Sequence, residues 1–351
     1  MHMADALISP VVGGAMWATT ASLAAYAAKK VQHDIDERKV PLMGVLGAFV
    51  FAAQMINFTI PGTGSSGHLG GGLLLAILLG PQAAFLTIAS ILTIQCLFFA
   101  DGGILALGSN IFNMGFLSCF IAYPLIYKPL TGDTPSQGRL FIASVLAAVI
   151  GLQLGAFGVV LETLFSGISE LPFNTFVLLM QPIHLAIGLV EGLVTAAIVM
   201  FIMKESPEIL RKTAMGQPLG SIPIKGVFIT LLIAAILTGG ALSWFASSNP
   251  DGLEWSIANV TGESELKAPE GIHSFFAEIQ EKTAFLPDYN FKKPEAETKE
   301  VTTNTNVKAS EEKEAWPAVD KGTSMAGIIG SIMTLVLAYS IGKGLQRFAR
   351  Q

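Results

Sequence analysis

Long apolar runs, punctuated by short polar segments, dominate this chain. Runs at about 10–28, 41–60, 82–100, 103–127, 140–166, 174–203, 226–247 and 324–342 each approach or exceed the ~20 residues an α-helix needs to cross a bilayer core. A further run, Leu69 to Gly80, is too brief for a regular crossing. It reads as a short, partly broken helix buried among its neighbours, where irregular backbone is satisfied by protein rather than exposed to lipid. The predicted fold is all-α and integral to the membrane. A seven-helix bundle with a short third helix occupies 1–204, a cytoplasmic linker follows at 205–224, and a two-helix hairpin at 225–351 carries a long polar loop at 249–322.

Composition supports this reading. Of 351 residues, 52% are hydrophobic and 13% charged, and the mean hydropathy is +0.58, values that exclude an ordinary soluble enzyme. Fifteen of the 26 acidic and eight of the 21 basic residues fall within 249–322, so the net charge of -5 describes that loop and not a nucleic-acid surface. The second half of the loop is nearly devoid of apolar residues and is expected to be disordered. Cys96 and Cys119 lie in apolar runs and read as small buried hydrophobes, with no disulfide framework.

The remaining basic residues set orientation. Lys29, Lys30, Arg38 and Lys39, then Lys128 and Arg139, then Lys204, Arg211, Lys212 and Lys225, and finally Lys343, Arg347 and Arg350 fall on one side only if the short third span crosses; segments 61–68, 101–102 and 167–173 carry none. The positive-inside rule then places the amino terminus outside and the carboxy terminus in the cytoplasm of a multi-pass cell-membrane protein, with His2 and His68 on the same outer side. The amino terminus lacks a basic n-region and carries Asp5 early, so cleavage as a signal peptide is not expected.

That shared side matters chemically. A histidine at position 2 offers the free amine of Met1, the His2 amide nitrogen once its proton is displaced, and the His2 imidazole, closing a five- and then a six-membered chelate ring. One imidazole from elsewhere, with His68 the obvious donor, completes a planar four-nitrogen set suited to Ni(II) or Cu(II) and able to serve Co(II). The bland alternative is a frayed terminus and an ordinary loop histidine. The glycine-rich run GTGSSGH at 62–68 lacks the Lys and Ser or Thr of a phosphate-binding loop. No other nucleotide-binding motif appears, so energy from ATP would have to come through partners.

Several motifs, in order, carry a resemblance. MHMADALISPVVGGAMWA at the start and GSSGHLGGG around His68 are similar to the two signature regions of the CbiM/NikM family, over roughly 1–204. The hairpin, with SSNPDGLEW at Ser247 to Trp255, resembles the PDGLE or NikN/CbiN-like component, here fused in one chain. The resemblance implies the substrate-binding (S) component of an energy-coupling-factor transporter that takes up nickel or cobalt. Its metal ligands would be Met1 through the amine, His2 through backbone and side-chain nitrogens, and His68 through its imidazole. It also implies a transmembrane coupling subunit and ATP-binding subunits as partners, nickel(II) or cobalt(II) as cargo, no organic cofactor, and a PDGLE segment resting near the metal entrance. The fused hairpin leans the reading toward nickel.

Other polar residues invite weighing. Gln181, His184, Gly188 and Glu191 share one face of the seventh helix, as an exit route for the ion or, by default, as inter-helix bonding. Asp5, Asn57, Gln95, Asp101, Asn110 and Asn113 could orient the ligands, with capping or inter-helix bonding as the default. The Gly151/Gly155 and Gly188/Gly192 pairs have the spacing of close helix packing, internal by default and a partner contact otherwise. Competing functional classes are an intramembrane metalloenzyme using Glu162 or Glu191 as a base, and a metal sensor without transport.

Overall fold

In the computed structural model, residues 1–34, 38–132, 135–292 and 316–349 are described. The helices are α1 Pro10–Asp34, α2 Lys39–Gln54, α3 Gly72–Leu79, α4 Pro81–Phe99, α5 Leu107–Thr131, α6 Gln137–Ser166, α7 Phe173–Glu205, α8 Pro207–Ala214, α9 Lys225–Gly240, α10 Gly252–Thr261, α11 Ile272–Thr283 and α12 Lys321–Ala349. Five of them (α4, α5, α6, α7 and α12) are long and apolar enough to cross a membrane, and α2 and α9 are shorter apolar helices. The protein is an all-α, multi-pass membrane protein.

The outer faces of α6 and α7 carry Leu146, Ile150, Leu154 and Phe157, and Leu178, Leu185, Leu189 and Leu193, all exposed. Apolar side chains at three-, four- and seven-residue spacing facing outward are what a lipid-facing helix needs. Toward the interior, small residues let backbones approach. A Cβ at Gly188 would stand 2.9 Å from the Val149 Cα, and one at Gly192 would stand 2.6 Å from the Val145 Cα, so α7 packs backbone-to-backbone on α6. Gly155 meets the Asn113 carbonyl of α5 in the same way. Both glycine pairs therefore serve internal packing.

The C-terminal hairpin lies along α2. Ser331 of α12 donates to the Ala48 carbonyl at 3.2 Å, the Phe51 ring occupies the space beside Gly330, and α9 meets α12 where Gly239 faces Gly327.

Three segments differ from expectation. The apolar run at 41–60 is not one helix, because α2 stops at Gln54 and Phe58–Ile60 pairs antiparallel with Ser65–Gly67 as β1 and β2. Asn57, Thr59 and Pro61 favour extended and turn backbone there. The linker at 205–224 contains α8, which buries Ile209 and Thr213. The first half of the 249–322 loop forms α10 and α11, whereas the expectation of disorder falls largely on 293–315, outside the described residues.

The two ends of the bundle are chemically distinct. At one, Arg38 donates to the Ile222 carbonyl, Lys212 to Leu219 at 3.0 Å and Thr213 to Leu78 at 3.2 Å, and Lys30 and Lys39 line a cleft beside Thr213. The opposite end gathers 1–9, the β-hairpin, 101–103 and 249–289. The short third span joins the two, since its start lies near the hairpin and Gly80 lies near Thr213. Replacing Gly192 with Leu should push α6 from α7 and cost about 1–3 kcal/mol or more through overpacking, read as a lower unfolding midpoint in detergent; an unchanged midpoint would contradict this packing.

Candidate metal centre

The first nine residues fold inward as a structured arm. A 3₁₀ turn at Asp5–Leu7 bends them, and Met3, Leu7 and Ile8 are fully buried. A buried irregular segment must find partners for its backbone elsewhere. Asn110 supplies them, accepting from the Met3 N–H at 2.7 Å and donating to its carbonyl at 3.1 Å. The Gly103 N–H donates to the same carbonyl at 2.9 Å. Asp5 accepts from the Ala106 N–H at 2.9 Å, and a ring nitrogen of His273 on α11 meets the Ile8 carbonyl at 2.9 Å.

This clamp delivers the amine into the interior. The Met1 nitrogen lies 3.2 Å from His68 Nε2 and donates to Asp251 Oδ2 at 2.6 Å. The His2 and His68 rings stack, with centroids 5.0 Å apart and planes 17° from parallel. His68 Nδ1 meets the Leu69 carbonyl at 3.1 Å, so Nε2 is the nitrogen left to face the amine. His2 Nδ1 faces Asp101 Oδ1 at 3.2 Å, while its buried Nε2 has no hydrogen-bond partner. All three residues singled out from sequence thus meet at one point. Among the described residues no three His, Cys, Asp or Glu side chains form an ion-holding group by themselves, so any ion here depends on the terminus.

Electrostatics keep the nitrogens available. Burial, assisted by the adjacent amine, lowers both imidazoles to about 3, so they are neutral bases and the His2–Asp101 contact is a hydrogen bond rather than an ion pair. Burial alone would raise the Asp251 carboxyl, but the amine cation beside it prevails and holds it well below the usual range. Asp101 goes the other way, raised by burial despite a hydrogen bond from Tyr289.

Asp251 comes from the C-terminal half. It caps α10 by accepting from Leu253 and Glu254 at 2.7 and 2.9 Å, while Glu254 returns a bond to the Asp251 N–H at 2.9 Å. This capping box is readable in the Asp-x-x-Glu spacing; its pairing with Met1 is not. The segment docks on the hairpin, where Ser66 donates to Pro250 at 2.8 Å and Trp255 to Thr63 at 2.9 Å.

His68 is held from below. Past it, the chain descends through Gly70 and Gly71, the latter at φ 75°, a conformation glycine adopts without strain. Their N–H groups donate to Glu191 at 2.8 and 3.1 Å, which satisfies buried donors at the start of α3 and sets a carboxylate against its positive end. Glu191 is therefore a cap. His184 contacts the Met180 carbonyl at 2.7 Å, and the void it shares with Met1, His68 and Asp251 measures about 10 Å³, at the lower limit for one water. Gln181 bonds Gln153, Gln95 bonds Gln54, Asn113 bonds Glu162, and the Asn57 carbonyl accepts from Ser247. Of the proposed orienting groups, Asp101 touches a ligand, and Asp5 and Asn110 position the arm. Glu162 and Glu191 are both engaged in internal bonds.

A family model described as the cobalt uptake substrate-specific transmembrane region matches residues 2–209, and one described as the PDGLE domain matches 225–347. A chain assigned the name fused nickel transport protein NikMN in Archaeoglobus fulgidus is 30% identical over 100% of this chain and 99% of its own. The fused nickel transport protein NikMN of Rhodobacter capsulatus is 31% identical, over 82% of this chain and 88% of the relative. A crystal structure of a transition metal transporter superposes with a TM-score of 0.53 at 32% identity, covering 60% of this chain and 97% of the other.

The cap can be tested by itself. Glu191→Leu strands two buried donors at about 1–3 kcal/mol each, so unfolding in detergent should move by roughly 2–6 kcal/mol, with Glu191→Gln falling between. Equal midpoints for Leu and wild type would show that the glycine amides find other partners.

Proposed function

The chain belongs to the CbiM family of cobalt-uptake substrate-specific transmembrane proteins, with a PDGLE domain following in the same polypeptide, and on that premise we propose that it captures nickel(II) or cobalt(II) through Met1, His2 and His68 as the substrate-binding component of an energy-coupling-factor transporter. It is a metal transport protein of the membrane and not an enzyme. The observation that carries the ligand assignment is the buried amine 3.2 Å from His68 Nε2. Adjacent donors in a planar set with metal–nitrogen distances of about 2.0 Å stand roughly 2.8 Å apart, so the spacing needs little adjustment. His2 Nδ1, the nitrogen that closes the six-membered chelate, must turn from Asp101 to the ion; the neutral imidazole makes that turn without breaking an ion pair.

Charge balance favours capture at depth. An ion of charge +2 displaces one proton from the amine and one from the His2 amide, so the buried site gains no net charge, and Asp251 exchanges an ammonium for a metal-amidate cation as its neighbour. With no nucleotide-binding motif in the chain, ATP-binding subunits and a transmembrane coupling subunit supply the energy. The basic end of the bundle faces the cytoplasm under the positive-inside rule, which sets the amine, both histidines and the PDGLE segment outside. The domain organisation proposed is the bundle at 1–204, the linker at 205–224 and the hairpin at 225–351. Nickel is the favoured cargo because two relatives matching most of this chain are named for nickel transport.

Residues appended ahead of Met1, with His2 and His68 intact, should weaken nickel binding by at least the roughly 10- to 100-fold that lesser disturbances of metal sites cause. Equilibrium dialysis with radioactive nickel reads this directly, and undiminished binding removes Met1 from the set. Uptake of radioactive nickel or cobalt by cells should require both coupling and ATP-binding subunits; accumulation without them would reject the transporter class proposed.

Acidity supplies a second check. The His2 amide must give up its proton to the ion, so affinity should fall by about one order of magnitude per pH unit as pH drops from 8 to 5. A pH-independent affinity over that range would exclude this ligand set.

A further inference from the structure

Above His2 and His68 lies a cavity of about 480 Å³, walled on one side by the bundle and on the other by the 251–289 segment. Asp5, Asp101, Asp251, Glu254, Glu265 and Asp288 line it, and among the described residues no lysine or arginine does. The acids are graded in depth: Glu254, Glu265 and Asp288 are exposed at the rim, while Asp101 and Asp251 are largely buried at the floor. A second feature points to a ligand. The His2 side chain, 6% exposed, lines the cavity with an Nε2 that has no partner.

We propose that this cavity is an antechamber that holds a divalent cation with its water shell intact, before the ion is stripped and passed to the nitrogens beneath. The inference rests on the transport reading above and adds a binding station to it. Direct coordination is not on offer here, because among the described residues no three acidic or histidine side chains converge on one point. A hydrated ion suits the space: six waters at about 30 Å³ each need about 180 Å³, well inside the cavity. Carboxylates that cannot reach the metal can still accept hydrogen bonds from its waters, which a doubly charged ion polarises strongly. A cleft lined by one sign of charge also concentrates counter-ions and speeds their arrival. Four of the six acids come from the PDGLE-containing half, so the fused hairpin contributes most of the attracting charge.

The test uses the full chain in detergent or nanodiscs and the variant Glu265→Gln/Asp288→Asn, which leaves every proposed metal ligand in place. Asparagine tolerates the left-handed backbone that Asp288 adopts at φ 50°, so the fold is kept. Stopped-flow association of nickel should slow by roughly three- to ten-fold at low ionic strength with the saturated absorption spectrum unchanged. The difference should vanish at about 500 mM salt, where the Debye length falls to a few ångströms. Equal rates for variant and wild type at both salt levels would overturn the proposal.

A second arm separates the antechamber from the nitrogen site. Mn2+ prefers oxygen ligands and water, so it should still bind weakly to His68→Ala protein and be lost when Glu265→Gln/Asp288→Asn is added. Mn2+ binding that depends on His68 and ignores the acids would overturn the antechamber. Nickel that never adopts the spectrum of a planar nitrogen set would instead sink the ligand assignment, and the Mn2+ arm would still decide this question. Should His68→Ala fail to fold, the association kinetics decide.

Discussion

An ammonium group cannot be buried alone, and the position of this protein's amino terminus follows from that constraint. The Met1 amine lies in the interior because Asp251, 250 positions away, meets it at 2.6 Å. Burying a charge without a partner costs several kcal/mol even after relaxation, so the terminus and the C-terminal segment require each other. The C-terminal hairpin lies along α2, and its first helix ends at Gly240. The chain then crosses the β-hairpin, and α10 starts where its capping residue can face the amine. Asp251 is at once helix cap and counter-ion, a double use that ties the geometry of α10 to that of the site.

The second constraint is that backbone inside a membrane protein must find its partners within the protein. From His68 to Gly71 the chain is neither helix nor strand, yet it descends into the bundle. Glu191 makes this possible by receiving the amides of Gly70 and Gly71. The same carboxylate therefore starts the short third helix and anchors the loop that presents His68. On the opposite wall, Asn110 does the corresponding work for Met3. Two polar residues from different helices thus tie the arm and the loop to the helices behind them.

Charge is sorted by depth. Outermost is a ring of exposed carboxylates, then Asp101 and Asp251, then two imidazoles that burial keeps neutral. On the transport reading proposed above, an approaching cation meets attraction first and strong nitrogen donors only at depth. The order suits a cargo that must lose its hydration shell, because each stage offsets part of the cost of the next.

Much of this was legible in the sequence, for reasons of length and chemistry. Apolar runs of bilayer length predict membrane helices because lipid offers the backbone no partners, and the count of basic residues marks one end of the bundle. Met1, His2 and His68 stand out because a second-position histidine brings three nitrogens within chelating distance through covalent bonds alone, whatever the fold. Local chemistry reaches no further. Nothing in the run GSSGHLGGG states that Glu191 will cap it, or that the first half of a polar loop will fold into α10 and α11. The apolar run at 41–60 concealed a strand, since hydrophobicity does not distinguish a helix end from a buried hairpin. Asp251 announces a helix cap through its spacing to Glu254, but its pairing with the amine joins the two halves of the chain. Such contacts are decided by which surfaces pack together, and packing is a property of the folded whole that no stretch of sequence carries by itself.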